Sequence, residues 1–328
     1  VLSEDVTMNW GIIGCGDVTE VKSGPAYQNT PSFNLHGVTR RNLELAQDYA
    51  RRHNVAKVYK SADELVHDDN IDAVYIATPP DSHLQYGLMV AAAGKPCCIE
   101  KPLSPTYEDS VKIVRAFEQQ NTPLFVAYYR RTLPRFLKVK SLIDSGAIGQ
   151  VRRIHWDLSA PPSEVDLSGE YNWRTDSKVA RGGYFDDLAS HGLDLFCYFL
   201  GEMSVVSGTV SNQQGLYSAY DSINACWTHE GGVGGTASWN FAGYGDVDSV
   251  TLVGSSGEIR FSVFHDNEVV LINKGGEQRF DIDHPKHVQS GHVEAMQRAL
   301  LSGHAHPSTG ATALHTGWVM ERILAAQS

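Results

Sequence analysis

Several things are scarce or missing in this chain of 328 residues. Cysteine is scarce: Cys15, Cys97, Cys98, Cys197 and Cys226 are the 5 present, none in a CxxC pair, with Cys97 and Cys98 adjacent. An odd number of thiols without metal-ligand spacing gives neither a disulfide framework nor a metal site, and suits a reducing, cytoplasmic compartment. Basic residues are in deficit, 27 Lys and Arg against 38 Asp and Glu, for a formal charge of −11. A nucleic-acid binder carries a basic face, so this balance argues against one. No stretch reaches the roughly 18 uninterrupted apolar residues of a membrane-spanning helix. Residues 1–7 have neither the basic nor the apolar region of a secretion signal, and Met8, just before the first strand, is a candidate native start. There is no internal repeat and no low-complexity tract.

What remains is an ordinary globular composition, 42% hydrophobic and 20% charged, at a length that suits two domains. Over residues 1–125 short apolar runs alternate with helical patterns. Strands are expected at 8–13, 33–39, 73–77, 97–100 and 124–128, and helices at 43–52, 82–93 and 106–120. Asn42 reads as an N-cap, Ser61-Ala62-Asp63-Glu64 as a capping box, and Gly94 as a helix stop. Strand–helix alternation with near-continuous apolar strands predicts an α/β domain with a doubly wound parallel sheet covered on both faces. From 126 to 328 the pattern changes. After a helix at 135–144, strands at 151–158, 205–210, 222–228, 233–241, 249–253, 258–263 and 269–272 recur at hairpin distances. They are broken by one strong helix at 184–200. This half is expected to be α+β with a mainly antiparallel sheet, closed by helices at 288–301 and 311–325 that could pack back on the first domain.

The first strand runs into Gly14-Cys15-Gly16-Asp17-Val18-Thr19, a GxGxxG pattern with Thr in the third position. The first glycine makes the tight turn and the second lets a pyrophosphate approach the backbone. The following helix N-terminus offers free N–H groups to phosphate. Ser23-Gly24-Pro25 interrupts that helix, which must be short or kinked. At the end of the second strand, where an NAD site places a carboxylate, this chain has Thr39-Arg40-Arg41. Two guanidiniums and a hydroxyl suit a 2′-phosphate, so NADP(H) is preferred, with NAD(H) left open.

Gly14-x-Gly16, Ala77-Thr78-Pro79, His83, Glu100-Lys101-Pro102 and Gly182-Gly183-x-x-x-Asp187-x-x-x-His191 together resemble the Gfo/Idh/MocA oxidoreductases, whose members include glucose–fructose oxidoreductase and inositol dehydrogenase. The resemblance spans essentially the whole chain. It implies a Rossmann domain followed by an open-faced sheet that forms the interface of a homodimer or homotetramer. It implies that Lys101, Asp187 and His191 match the family's catalytic residues. Thr78, Pro79, Glu100 and Lys101 would line the nicotinamide end of the cofactor. Trp173 and Arg174 would lie near cofactor or substrate.

The residues support such roles on their own terms. Lys101 ends a central strand at the carboxyl edge, where open α/β sheets bind ligands. Alternation puts Glu100 and Lys101 on opposite faces, so Glu100 is not expected to be Lys101's ion partner. Asp187 and His191 stand four apart on one helix face. A histidine there can carry the proton of a hydroxyl becoming a carbonyl, a carboxylate can orient it or bind a second hydroxyl, and Lys101 can polarise the oxygen. Asp194, one turn on, reads as capping or core pairing. His83 either lines the cofactor groove or caps its helix. Arg131, after Arg130, is either a substrate contact or an interdomain bridge. His284, His287, His292, His304 and His306 lack metal-site organisation and read as surface or core residues. Cys15 reads as filler, and Trp227, Trp239 and Tyr244 as sheet or interface packing. Loops at 159–176 and 241–248 should carry specificity.

The function expected is an NADP(H)-dependent oxidoreductase acting on a secondary alcohol or carbonyl of a sugar, polyol or related cyclic compound, without metal, nucleic-acid or membrane partners. The alternatives are a non-catalytic nucleotide sensor of the same fold and an NAD-dependent glycoside-cleaving relative.

Overall fold

The computed structural model describes residues 7–325; residues 1–6, within the stretch read for a secretion signal, lie outside the described part. Among the described residues six strands pair in parallel: β1 (Met8–Ile13), β2 (Phe33–Thr39), β3 (Lys57–Val58), β4 (Ala73–Ile76), β5 (Cys97–Ile99) and β6 (Leu124–Val126). Their order is β3-β2-β1-β4-β5-β6. Side chains alternate faces along a strand, and here both faces are apolar. Trp10, Ile12, Tyr75 and Cys98 join Tyr27 and Phe33 on one side; Ile13, Val74, Ile76, Cys97 and Ile99 join Leu65, Ile113 and Phe117 on the other. The adjacent thiols of Cys97 and Cys98 therefore point away from each other, and both are free.

The covering helices are α1 (Asp17–Val21), α2 (Gly24–Asn29), α3 (Leu43–Arg52), α4 (Ala62–Val66), α5 (His83–Ala92) and α6 (Tyr107–Gln119). Asn42, Ser61 and Thr106 cap three of them, each accepting from the backbone N–H three residues on. The Ser23-Gly24-Pro25 interruption acts as expected: α1 stops at Val21 and α2 starts at Gly24, with Pro25 in its first turn.

By its internal contacts the chain divides into two compact units, one running to Leu133 and including Pro285–Leu314, the other Pro134–His284 with the residues from His315. The second unit holds α7 (Pro134–Asp144), α8 (Glu164–Ser168), α9 (Tyr184–Leu200) and a sheet. Its eight described strands are β7 (Val151–Ser159), β8 (Met203–Ser211), β9 (Ser222–His229), β10 (Gly234–Asn240), β11 (Val247–Gly254), β12 (Gly257–Phe261), β13 (Val269–Asn273) and β14 (Gly276–Phe280). They pair in the order β14-β13-β12-β11-β7-β10-β9-β8. All neighbours are antiparallel except β7 and β10. The sequence pattern does not reveal β14, because Gly-Glu-Gln-Arg-Phe has no apolar alternation.

One face of this sheet is covered by α9. Phe196 meets Trp156 edge-on with ring centroids 5.6 Å apart, and Phe185 meets Trp239 at 5.0 Å. Trp227 and Trp239 pack the sheet as expected. Tyr244 does not: it lies in the β10–β11 loop, fully exposed. The chain closes with α10 (Ser290–Ser302) and α11 (Gly310–Leu324). Met296 and Leu301 of α10 belong to the same core as Trp10 and Phe33.

Candidate active site

In the first unit the neighbours of β1 are β2 and β4, so the carboxyl ends of β1 and β4 flank the point where strand order reverses, the usual ligand crevice of such sheets. Gly14 stands there. Its φ is +92°, and a Cβ would lie 2.6 Å from Thr78 Cγ2 and 3.0 Å from the Ala77 carbonyl carbon, so only glycine fits. Gly16 differs: the nearest atom to a Cβ there is the Gly14 oxygen at 3.9 Å, which leaves its approach open. Gly16 precedes α1 in an extended conformation with no side-chain cap. The amides of Asp17 and Val18 in the first turn are thus offered to an anion, as the phosphate-binding turn requires. Thr19, in place of the third glycine, is buried and donates its hydroxyl to the Gly16 carbonyl at 2.7 Å. These features fit a dinucleotide pyrophosphate.

Thr39 is buried at the end of β2, and its carbonyl accepts from the Gly14 N–H at 2.8 Å. Arg40 folds back so that its Nη1 donates to the Cys15 carbonyl at 3.1 Å, while Arg41 is exposed. A fixed guanidinium therefore lies beside the glycine turn. Burial, opposed by Arg40, pushes the Cys15 thiol up to about 11, which removes any nucleophilic role.

At the end of β4, the Thr78 hydroxyl accepts from Ser82 at 2.7 Å. His83 is fully buried. Its Nε2 lies 2.8 Å from the Thr78 carbonyl, and its Nδ1 lies 3.1 and 3.2 Å from the carbonyls of Pro102 and Leu103. Burial lowers its pKa. From this buried position His83 braces the turns after β4 and β5.

After β5 the carboxylate of Glu100 is buried and engaged by three donors: the Tyr75 hydroxyl at 2.6 Å, Gln289 Nε2 at 2.8 Å and the Lys101 backbone N–H at 3.2 Å. Glu100 thus anchors the Lys101 main chain from beneath, and Lys101 itself is partly exposed. Arg131 is buried, with Nη1 donating to the Pro307 carbonyl at 2.7 Å. The buried His292 and His306 pack ring to ring at 4.7 Å, burial lowering both pKa values. They are core residues.

In the second unit α9 carries Asp187 and His191 one turn apart. His191 is buried, with its ring 5.9 Å from Phe264 in an edge contact. The next residue, Gly192, lets the helix lie against the sheet: a Cβ there would be 2.3 Å from the Trp156 ring. Trp156 Nε1 in turn donates to buried Asp248 at 3.0 Å. Asp187 accepts from Arg174 Nε at 2.9 Å, and the Arg174 guanidinium stands 4.5 Å from the Trp173 ring centroid. Trp173 and Arg174, named together from the sequence, thereby form one cluster with Asp187. Sequence reasoning missed Tyr184, whose hydroxyl donates to Asp166 at 2.9 Å and accepts from Asn172 at 3.2 Å, tying residues 163–174 to α9. It also missed Asp186, whose carboxyl is pushed up to about 6 by burial. Asp194 is a core residue, accepting from Thr316 at 3.3 Å. A separate groove in the sheet is lined by Arg153, His155, Trp227, Gly235 and Thr236, and by none of Arg174, Asp187 and His191.

Among the described residues no group of three or more His, Cys, Asp or Glu could hold a metal ion, and no helix is long and apolar enough to cross a membrane. Residues 8–128 match the sequence model of an oxidoreductase family with an NAD-binding Rossmann fold, and residues 136–260 match the C-terminal domain of the same GFO/IDH/MocA family. The chain is 36% identical to Oxidoreductase P35 of Formosa agariphila over 302 residues, 92% of this chain and 93% of that one. It is 31% identical over 216 residues to levoglucosan dehydrogenase of Pseudarthrobacter phenanthrenivorans, covering 62% of this chain and 54% of that one. A solved levoglucosan dehydrogenase in complex with NADH and levoglucosan shares the fold, with a TM-score of 0.86 at 22% identity over 97% of this chain and 96% of that one.

Proposed function

Because the chain belongs to the Gfo/Idh/MocA oxidoreductase family, we propose that it is an NADP(H)-dependent enzyme that interconverts a secondary alcohol and a carbonyl on a sugar, polyol or related cyclic compound. The observation that carries the cofactor assignment is Arg40, whose guanidinium is held on the Cys15 carbonyl beside the glycine turn. No carboxylate occupies Thr39-Arg40-Arg41 to bind a ribose 2′-OH, and guanidinium forks pair with phosphate. The backbone from Gly14 to Val18 would hold the pyrophosphate, with the Thr78-Pro79 and Glu100-Lys101 turns towards the nicotinamide end.

When bound, the nicotinamide supplies or receives the hydride. Lys101 polarises the substrate oxygen and stabilises the negative charge that develops on it. His191 gives or takes the hydroxyl proton. Asp187, held by Arg174, orients a substrate hydroxyl or the imidazole. The lysine, aspartate and histidine set favours an enzyme over a sensor, which has no chemical use for it. An NADP preference favours the reductive direction. The absence of disulfides among the cysteines supports a cytoplasmic setting, and the exposed residues that alternate along the sheet of the second unit support a homo-oligomer.

The test is a fluorescence titration with NADPH and NADH, followed by turnover on a panel of sugars and diols. Lys101→Ala and His191→Ala are expected to abolish turnover and leave NADPH affinity largely intact. A strong NADH preference would overturn the cofactor assignment; loss of NADPH binding in both variants would remove their catalytic roles.

A further inference from the structure

We infer that Gln289, distant in sequence from every motif above, is a positioning residue for the reaction, acting through Glu100 on the main chain of Lys101. The inference rests on the reading of Lys101 as the residue that polarises the substrate oxygen. Gln289 is fully buried and stands at the N-cap of α10, where Ser, Thr, Asp or Asn would normally satisfy the free amides of the first turn. Its side chain makes no such cap. Its Nε2 donates instead to Glu100 Oε1 at 2.8 Å. Only the NH₂ end of the amide can face a carboxylate, which fixes the amide's orientation. The other end, Oε1, is buried and accepts from no donor among the described residues. A half-satisfied buried amide is costly, so an apolar residue would serve packing better. Among the described residues, the one hydrogen bond of this side chain is the one to Glu100.

The backbone of Gln289 extends the connection. Its N–H donates to the Lys22 carbonyl at 3.2 Å, just past α1, and its carbonyl accepts from Val293 N at 3.0 Å, in α10. One residue thus ties the helix that follows the glycine turn to the turn that carries Lys101. Glu100 is the relay. Oε1 takes the Tyr75 hydroxyl at 2.6 Å as well as Gln289, and Oε2 takes the Lys101 N–H at 3.2 Å. Tyr75 is a dependable donor, since burial and then the nearby Glu100 hold its pKa well above the usual phenol value. A buried carboxylate is held in place by the donors that replace its water. With Gln289 truncated, one donor is lost and the carboxylate can rotate or draw in water, carrying the Lys101 N–H with it. Displacements of about 1 Å at a reacting group cost up to about 100-fold in rate.

The experiment compares Gln289→Leu, Tyr75→Phe, Glu100→Gln and Lys101→Ala by NADPH titration, by turnover on the best substrate of the panel, and by the primary isotope effect with NADPH deuterated at C4. The expected result is a fall in kcat of about 10- to 100-fold for Gln289→Leu and Tyr75→Phe. NADPH affinity stays within about twofold, and the isotope effect rises as hydride transfer becomes limiting. Adding Glu100→Gln to Gln289→Leu should cost little more, because both act through one carboxylate. If Lys101→Ala abolishes turnover while Gln289→Leu and Tyr75→Phe keep the native kcat and isotope effect, the inference fails and the function stands. If Lys101→Ala turns over normally, the reading of Lys101 fails and takes the inference with it. A lowered Tm with unchanged kcat would make Gln289 merely structural. Should Gln289→Leu not fold, Tyr75→Phe decides, since it removes one hydroxyl and keeps the ring.

Discussion

Arg174 Nε donates to the carboxylate of Asp187 at 2.9 Å, joining the loop before α9 to the helix face that also carries His191. The loop end of the pair is itself braced. Asn172 accepts from the Arg174 N–H at 3.1 Å and donates to Tyr184, the first residue of α9. The helix and the loop expected to set specificity therefore share one polar network, and Asp187 is oriented by a partner from that loop.

Arg174→Ala should show this in kinetics rather than in stability. The side chains of the pair are 42% and 23% exposed, and such pairs contribute about 1 kcal/mol or less to folding. The Tm should barely move, whereas KM for the best panel substrate should rise about 10-fold, the loss of one charge-assisted contact. Arg174→Lys should recover only part of it, because an ammonium lacks the planar fork. A native KM in Arg174→Ala would show that Asp187 does not depend on this partner.

Arg40→Ala should separate the two cofactors. A guanidinium contributes about 1.5–3 kcal/mol to a bond with a charged group, or roughly 10- to 150-fold in affinity. NADPH should weaken by that factor and NADH by little, as read by quenching titrations at fixed ionic strength. Equal losses for both would mean that Arg40 only supports the glycine turn through Cys15.

Much of this was legible from side-chain periodicity. β1, β2, α3 and α9 fall where the pattern puts them, because each is long, apolar on the right face and marked at its ends by caps, turns or glycine. Lys101, Asp187 and His191 stand out through the motif resemblance, with which strand-end position and helical spacing agree without establishing a role. Arg174–Asp187, His83–Thr78 and Gln289–Glu100 were not legible. Such contacts join residues far apart in sequence or in different elements, and periodicity carries no information about them. Asp186 was missed for a related reason: its depth beside Gly182 is a property of packing, not of spacing.

Asp186→Asn should stabilise the protein at high pH. Burial raises the Asp186 pKa from 3.8 to about 6 in the folded protein, so the folded state resists ionisation and the unfolded state does not. Below the unfolded pKa the group costs nothing; as pH rises towards the folded pKa, stability is lost, up to roughly 3 kcal/mol. Asn keeps an oxygen for the Gly182 N–H and never ionises. The variant should melt higher than wild type at pH 8, with the difference shrinking below pH 6 and absent near pH 3. A constant difference across that range would point to packing instead.

Gly192→Ala sets two effects against each other. Alanine is favoured over glycine inside a helix by about 1 kcal/mol. Against this, the new Cβ would sit 2.3 Å from Cζ3 and 2.6 Å from Cη2 of Trp156. That ring is fully buried and fixed through its Nε1 bond to Asp248, so it cannot swing aside. Overpacking of this kind costs about 1–3 kcal/mol, and the clash should win. The helix must then lift from β7, moving His191 with it, so kcat should fall along with Tm. Trp156→Phe supplies the control. It removes the fused ring that the Cβ meets, so Gly192→Ala made in that background should cost much less than in wild type. If the two losses simply add, contact with Trp156 is not what requires glycine beside His191.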